Sequence, residues 1–146
     1  MTSESAGHRG TIHAPQDAIV DALAAAELYP QWQSGVVATE VHERDEQGRA
    51  TLVTLQVDTK VKQIRYTARY WYRVESGRMG FDLVEGDLKQ ITGRYAFAPR
   101  ADGGTDVTID ITTDVGFYVP GPLRKLIQDQ ALRTSLRDLK RRVEGG

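Results

Sequence analysis

The chain has 146 residues, 40% of them hydrophobic and 27% charged, with a formal net charge of -1 and no cysteine. That length suits one domain with a sizeable core, and the charge balance argues against a general nucleic-acid binder. Without cysteine there is no disulfide framework, thiol nucleophile or cysteine metal site, and no apolar run approaches the ~20 residues of a membrane span.

A single domain over 1–146 is the expected organisation, with residues 1–8 flexible. The opening MTSESAGHRGT lacks the apolar core of a signal peptide, so a cytoplasmic location is the expectation. Residues 10–14 (GTIHA) read as a short strand with Ile12 facing inward. Pro15 suits a first helical turn and Asp17 favours its positive dipole end. Ile19, Val20 and Leu23 then supply the apolar face of an alanine-rich helix ending near Leu28. Tyr29-Pro30-Gln31-Trp32 is a turn or a short second helix, with Trp32 large enough to anchor the break before the strands.

Beyond residue 36 the hydrophobic period changes from 3.6 to 2. Successive strands are predicted at 36–44 and 50–62, the second presenting Val53, Leu55, Val57 and Val61 on one face. Residues 64–75 place Ile64, Tyr66, Ala68, Tyr70, Tyr72 and Val74 inward, and Arg65, Arg69, Trp71 and Arg73 outward. Met79, Phe81 and Leu83 continue the inward parity, followed by Ile91, Gly93, Tyr95 and Phe97. Asp102-Gly103-Gly104 signals a hairpin, and Val107, Ile109 and Ile111 line the last strand. Trp71 is either stacked by Arg69 and Arg73 on the outer face or an interface anchor.

After Pro120-Gly121-Pro122 the next ~20 residues contain neither Gly nor Pro, which predicts one long helix. At 100° per residue Leu132, Leu136, Leu139 and Val143 form one stripe, whereas Leu123, Leu126, Ile127 and Ala131 lie roughly opposite. The helix therefore begins late, kinks, or buries different sides along its length. From Arg124 to Arg142 seven cations face Asp129 and Asp138, leaving about -6 for the rest of the chain. Arg133, Arg137, Lys140 and Arg141 are the residues through which a peripheral membrane or protein partner would act, against the simpler reading of a solvated face.

The order of elements, together with Ile12-His13-Ala14-Pro15, Leu28-Tyr29-Pro30-Gln31-Trp32, Gly93-Arg94-Tyr95-Ala96-Phe97-Ala98-Pro99 and Leu136-Arg137-Asp138-Leu139-Lys140-Arg141-Arg142-Val143, resembles the START-like superfamily with the helix-grip (Bet v 1-like) fold, in its bacterial polyketide cyclase/dehydrase and lipid-transport branch. The resemblance implies an α+β fold, in which a curved antiparallel sheet wraps a long C-terminal helix and encloses a cavity for an apolar ligand. Carried onto this sequence, the ligand-binding candidates are Trp32, Leu55, Val57, Tyr66, Tyr70, Tyr72, Phe81, Leu83, Tyr95, Phe97, Ile109 and Ile111. Phe117 and Tyr118 would form a lip, and Ile127 and Ala131 the helix wall.

The expected function is binding or transport of a lipid, fatty acyl, isoprenoid or polyketide-like molecule. The alternatives are an interaction module using the basic helix, and a small cyclase or dehydratase. Catalysis would need a positioned acid or base, and Glu85, just past Leu83 on inward parity, is the one weak candidate besides the phenols. His8, His13 and His42 lie in separate segments with no metal-ligand spacing and are expected at the surface. No cofactor, metal or nucleic-acid partner is expected.

Overall fold

The computed structural model describes residues 4–59, 62–116 and 118–145, and side chains except those of 4–6 and 126–131. Seven antiparallel strands form one sheet: β1 (Glu4–Ile12), β2 (Val36–Arg44), β3 (Ala50–Asp58), β4 (Gln63–Arg73), β5 (Arg78–Gly86), β6 (Gln90–Pro99) and β7 (Thr105–Asp114). Their order is β1-β7-β6-β5-β4-β3-β2, so every pair but β1–β7 joins strands adjacent in sequence. The connection between the two edge strands carries α1 (Gln16–Ala24), a 3-10 turn (Ala26–Leu28) and α2 (Tyr29–Trp32). The last element is α3 (Gly121–Glu144).

Local chemistry sets the turns. Asp45 Oδ1 accepts the backbone N–H groups of Gln47 and Arg49, both at 2.9 Å, and Gly48 takes the left-handed φ of 82° that this turn requires. Asp102 Oδ1 accepts Gly104 N–H at 2.9 Å in the β6–β7 hairpin. Sequence reading placed the first strand at residues 10–14, whereas β1 begins at Glu4 and pairs along its whole length with β7, from Glu4 opposite Thr113 to Ile12 opposite Thr105.

α3 is continuous over 24 residues, about 36 Å at 1.5 Å per residue. Its second half is fastened by apolar and polar contacts together. Leu132, Leu136 and Leu139 are buried, and Leu136 Cδ2 lies 2.6 Å from where a Cβ on Gly10 would stand, so β1 has a glycine where the helix crosses it closely. Lys140 Nζ donates to Thr11 O at 2.9 Å and pairs with Glu144 at 2.8 Å, while Glu144 accepts His13 N–H at 2.7 Å. Asp138, 4% exposed, accepts Ser34 N–H at 2.8 Å and so ties α3 to the end of α2. The first turn differs: Leu123 is 40% exposed.

Two glycines let aromatic rings lie flat against the sheet. The Phe81 ring occupies the space where a Cβ on Gly93 would be, at 2.1 Å, on the helix-facing side. On the opposite side Trp71 lies 2.6 Å from the position of a Gly80 Cβ. Any side chain at either position would displace a ring from a close-packed site.

Candidate functional site

Strand alternation divides the sheet into two faces. The concave face turned to α3 carries Tyr66, Tyr70 and Tyr72 from β4, Phe81 and Leu83 from β5, Tyr95 and Phe97 from β6, and Ile109 and Ile111 from β7. Leu55 and Val57 extend it onto β3. Leu55, Tyr66, Tyr70, Phe81, Phe97 and Ile109 are buried; Trp32, Val57, Tyr72, Leu83, Tyr95 and Ile111 are half-buried and pack on that core. Tyr118 is 86% exposed beside Val119, on the surface before α3. Phe117 lies outside the described residues, as do the side chains of Ile127 and Ala131.

The concave face is rich in phenols. Tyr29, which sequence reading left out of the site, donates a hydrogen bond to Leu23 O, lies near the Tyr70 phenol, and meets Trp32 edge-on at 5.6 Å. Tyr70 and Phe81 are 5.2 Å apart, and Tyr95 stacks with Phe97 at 6.4 Å. Tyr72 Oη donates to Ala50 O at 2.5 Å, with the Arg49 guanidinium 4.8 Å above its ring. Burial pushes the Tyr95 phenol up to about 12. It also raises Tyr66, Tyr70, Tyr72 and Tyr29, and the neighbouring phenols add to the effect because a second phenolate nearby would be repelled. At neutral pH these groups are hydrogen-bond donors and acceptors, not bases. Trp32 adds an indole N–H that is buried and has no acceptor among the described residues, the kind of unsatisfied donor that folded chains rarely keep.

Two titratable side chains sit differently from their sequence reading. Glu85 was read as inward, but Thr67 faces Glu85 and Ala68 faces Leu83, so Val84 is an extra residue in a β-bulge. The bulge reverses parity, and Glu85 joins the outward row of Thr67 in an exposed position. His8 was expected on the surface, but it stands opposite Ile109, in one row with Tyr95 on the concave face, and is half-buried. Among the described side chains on the concave rows of the sheet it is the one ionisable group other than the phenols. Its shared parity with Gly10 and Ile12 was the available signal. His13 and His42 are exposed, and no cluster of three or more His, Asp or Glu suited to a metal occurs among the described residues.

The outer face holds Trp71 between Arg73 and Arg94, each guanidinium 5.4 Å from the ring centroid. Sequence reading had put Arg69 there; Arg69 instead pairs with Glu43 at 3.4 Å. A depression of about 340 Å³ opens on this same face, bordered by Arg9, Arg78, Ala96, Ala98, Asp106 and Thr108 among others. Of the predicted ligand residues whose side chains are described, Phe97 alone borders it. On α3, Arg133, Arg137 and Arg141 are exposed, whereas Lys140 is committed to Thr11 and Glu144.

The family model for polyketide cyclase/dehydrase and lipid transport proteins matches residues 12–140. The chain belongs to that family. The chain has the helix-grip architecture of a START superfamily protein from Mycobacterium smegmatis, to which it is similar with a TM-score of 0.84 at 22% identity over 97% of both chains. A Thermus thermophilus protein gives 0.83 at 23% identity, covering 97% of this chain and 98% of that one. An aromatase/cyclase from Streptomyces sp. R1128 gives 0.81 at 15% identity, covering 98% and 94%. At these identities the likeness is one of fold. No curated protein matches the chain in sequence.

Proposed function

We propose that this protein binds a small, uncharged, largely apolar ligand between the concave face of the sheet and α3, and that the ligand carries a hydrogen-bond acceptor for Trp32. The observation that supports this most is the buried Trp32 Nε1 with no acceptor among the described residues, at the edge of a wall of neutral phenols. A ligand carbonyl or ether oxygen would satisfy that donor, and removal of apolar area from water, about 25 cal/mol per Å² before association costs, would supply most of the affinity. A free carboxylate fits poorly, because burying it among phenols without a cation is costly.

Trp32→Phe keeps the apolar contact and removes the donor. For an aromatic polyketide or quinone probe, affinity measured by calorimetry is expected to fall about fivefold, roughly the net worth of one hydrogen bond. Equal affinity in both proteins would refute the assignment of Trp32 to the ligand.

A catalytic reading of the same site is favoured by one observation, the inward His8. As a general base it would remove a proton α to a ligand carbonyl. His8→Gln is then expected to slow deuterium exchange from water into an aromatic ketone probe to the rate in buffer alone, while leaving its binding within about twofold. Exchange above the buffer rate that persists in the variant would leave binding as the activity of the site.

A further inference from the structure

We infer that the outer face of the sheet carries a second site, distinct from the concave one, for a phosphate monoester held between Arg9 and Arg78. The depression of about 340 Å³ lies at the small end of ligand-pocket sizes. Its floor is made of short side chains: Ala96 stands between Arg78 and Thr108 in the register, and Thr108 pairs with Arg9. Two long cations on β1 and β5 thus flank two small residues on β7 and β6, a span of roughly 14 Å at ordinary strand spacing, which leaves space between the guanidiniums.

Charge supplies the second argument. Arg73 stands directly opposite Arg78, so one row across the sheet reads Arg9, Thr108, Ala96, Arg78, Arg73 with three cations and no carboxylate. Like charges placed directly opposite one another destabilise a sheet, and a bound anion would remove that penalty. Arg73 is turned onto Trp71, but the Arg78 side chain has no hydrogen bond or ion pair among the described residues. The one acid at the rim, Asp106, is already engaged by Thr11 at 2.9 Å and Arg100 at 3.1 Å. It therefore leaves the cations only partly compensated.

The geometry selects phosphate over carboxylate. A carboxylate's two oxygens are satisfied by one guanidinium fork, whereas a phosphate monoester has three terminal oxygens and can accept two forks from opposite sides. Thr108 and Ser76 also border this space, and their hydroxyls would serve as further donors. The methyl groups of Ala96 and Ala98 accommodate the short organic part of the ester.

Calorimetric titration with phenyl phosphate at constant ionic strength tests the site. Saturable binding is expected, at least about tenfold weaker for benzoate. Arg78→Ala is expected to weaken phenyl phosphate binding about tenfold or more, the loss of one bidentate charge-assisted contact. Ala96→Leu, which fills the floor without touching charge, is expected to do the same and stands in should Arg78→Ala fail to fold. Absence of saturable binding at about 10 mM, or equal binding in wild type and Ala96→Leu, would overturn the proposal. Vesicles containing phosphatidic acid distinguish the source of the phosphate. Pelleting that phenyl phosphate competes away identifies a lipid headgroup, and soluble binding without pelleting identifies a free ester.

Discussion

Raising the pH above 10 is expected to unfold the protein within about two pH units, in a single step that releases the interior phenol protons together. Burial raises the phenols of Tyr29, Tyr66, Tyr70, Tyr72 and Tyr95 in the folded chain, Tyr95 to about 12. In the unfolded chain a phenol titrates near 10. A group whose folded value is raised contributes its full stability below the unfolded value, and loses it as pH climbs towards the folded one. At pH 11 the unfolded state gains about 1.4 kcal/mol per phenol by ionising, roughly 7 kcal/mol for five. Domains of this size have about 5–15 kcal/mol to lose, so the midpoint falls between about pH 10.5 and 12. In a Tyr118→Phe background, phenolate absorbance and far-ultraviolet circular dichroism are expected to change together. Gradual ionisation near pH 10 with the dichroism unchanged would mean that the phenols are in free contact with water.

The Leu139→Ala variant is expected to lose about 2–5 kcal/mol of stability in urea unfolding, the range for a buried leucine whose cavity cannot collapse. Leu139 is 1% exposed, beside Leu136, which covers Gly10, and next to Asp138, which holds Ser34. Loss of this contact loosens α3 from β1 and α2 at once, so the cost exceeds that of an isolated methyl deletion. Leu123→Ala on the same helix provides the contrast. At 40% exposure Leu123 contributes little, and a change within about 0.5 kcal/mol is expected. Equal effects of the two substitutions would contradict the division of α3 into an anchored second half and an open first turn.

The pattern of legibility follows from which interactions are local. Alternation along β4, β6 and β7 was readable because each strand buries one face, and the register then assigned Tyr66, Tyr70, Tyr95, Phe97 and Ile109 to the concave side. Asp102-Gly103-Gly104 signalled its hairpin because the turn needs those residues in place. β1 was read too short: Ser5, Gly7 and Gly10 are poor strand formers, and pairing with β7, about a hundred residues away, overrides that preference. The same error hid His8. Glu85 was misread for another reason, since a one-residue bulge reverses parity without any mark in the surrounding alternation. Non-local partners were equally invisible: Arg94 rather than Arg69 stacks on Trp71, and Lys140 is drawn from the basic face of α3 to a carbonyl on β1. The Arg9–Arg78 row exists only once β1 is placed beside β7.

The measurement that tests the ligand-binding account most directly is native mass spectrometry of the protein purified from its own host, followed by organic extraction. The account predicts a co-purifying, uncharged, oxygen-bearing apolar species, released on unfolding and reduced in Trp32→Phe. A protein that emerges empty, and also fails to bind a panel of quinones, aromatic polyketides and fatty acyl esters, would contradict it.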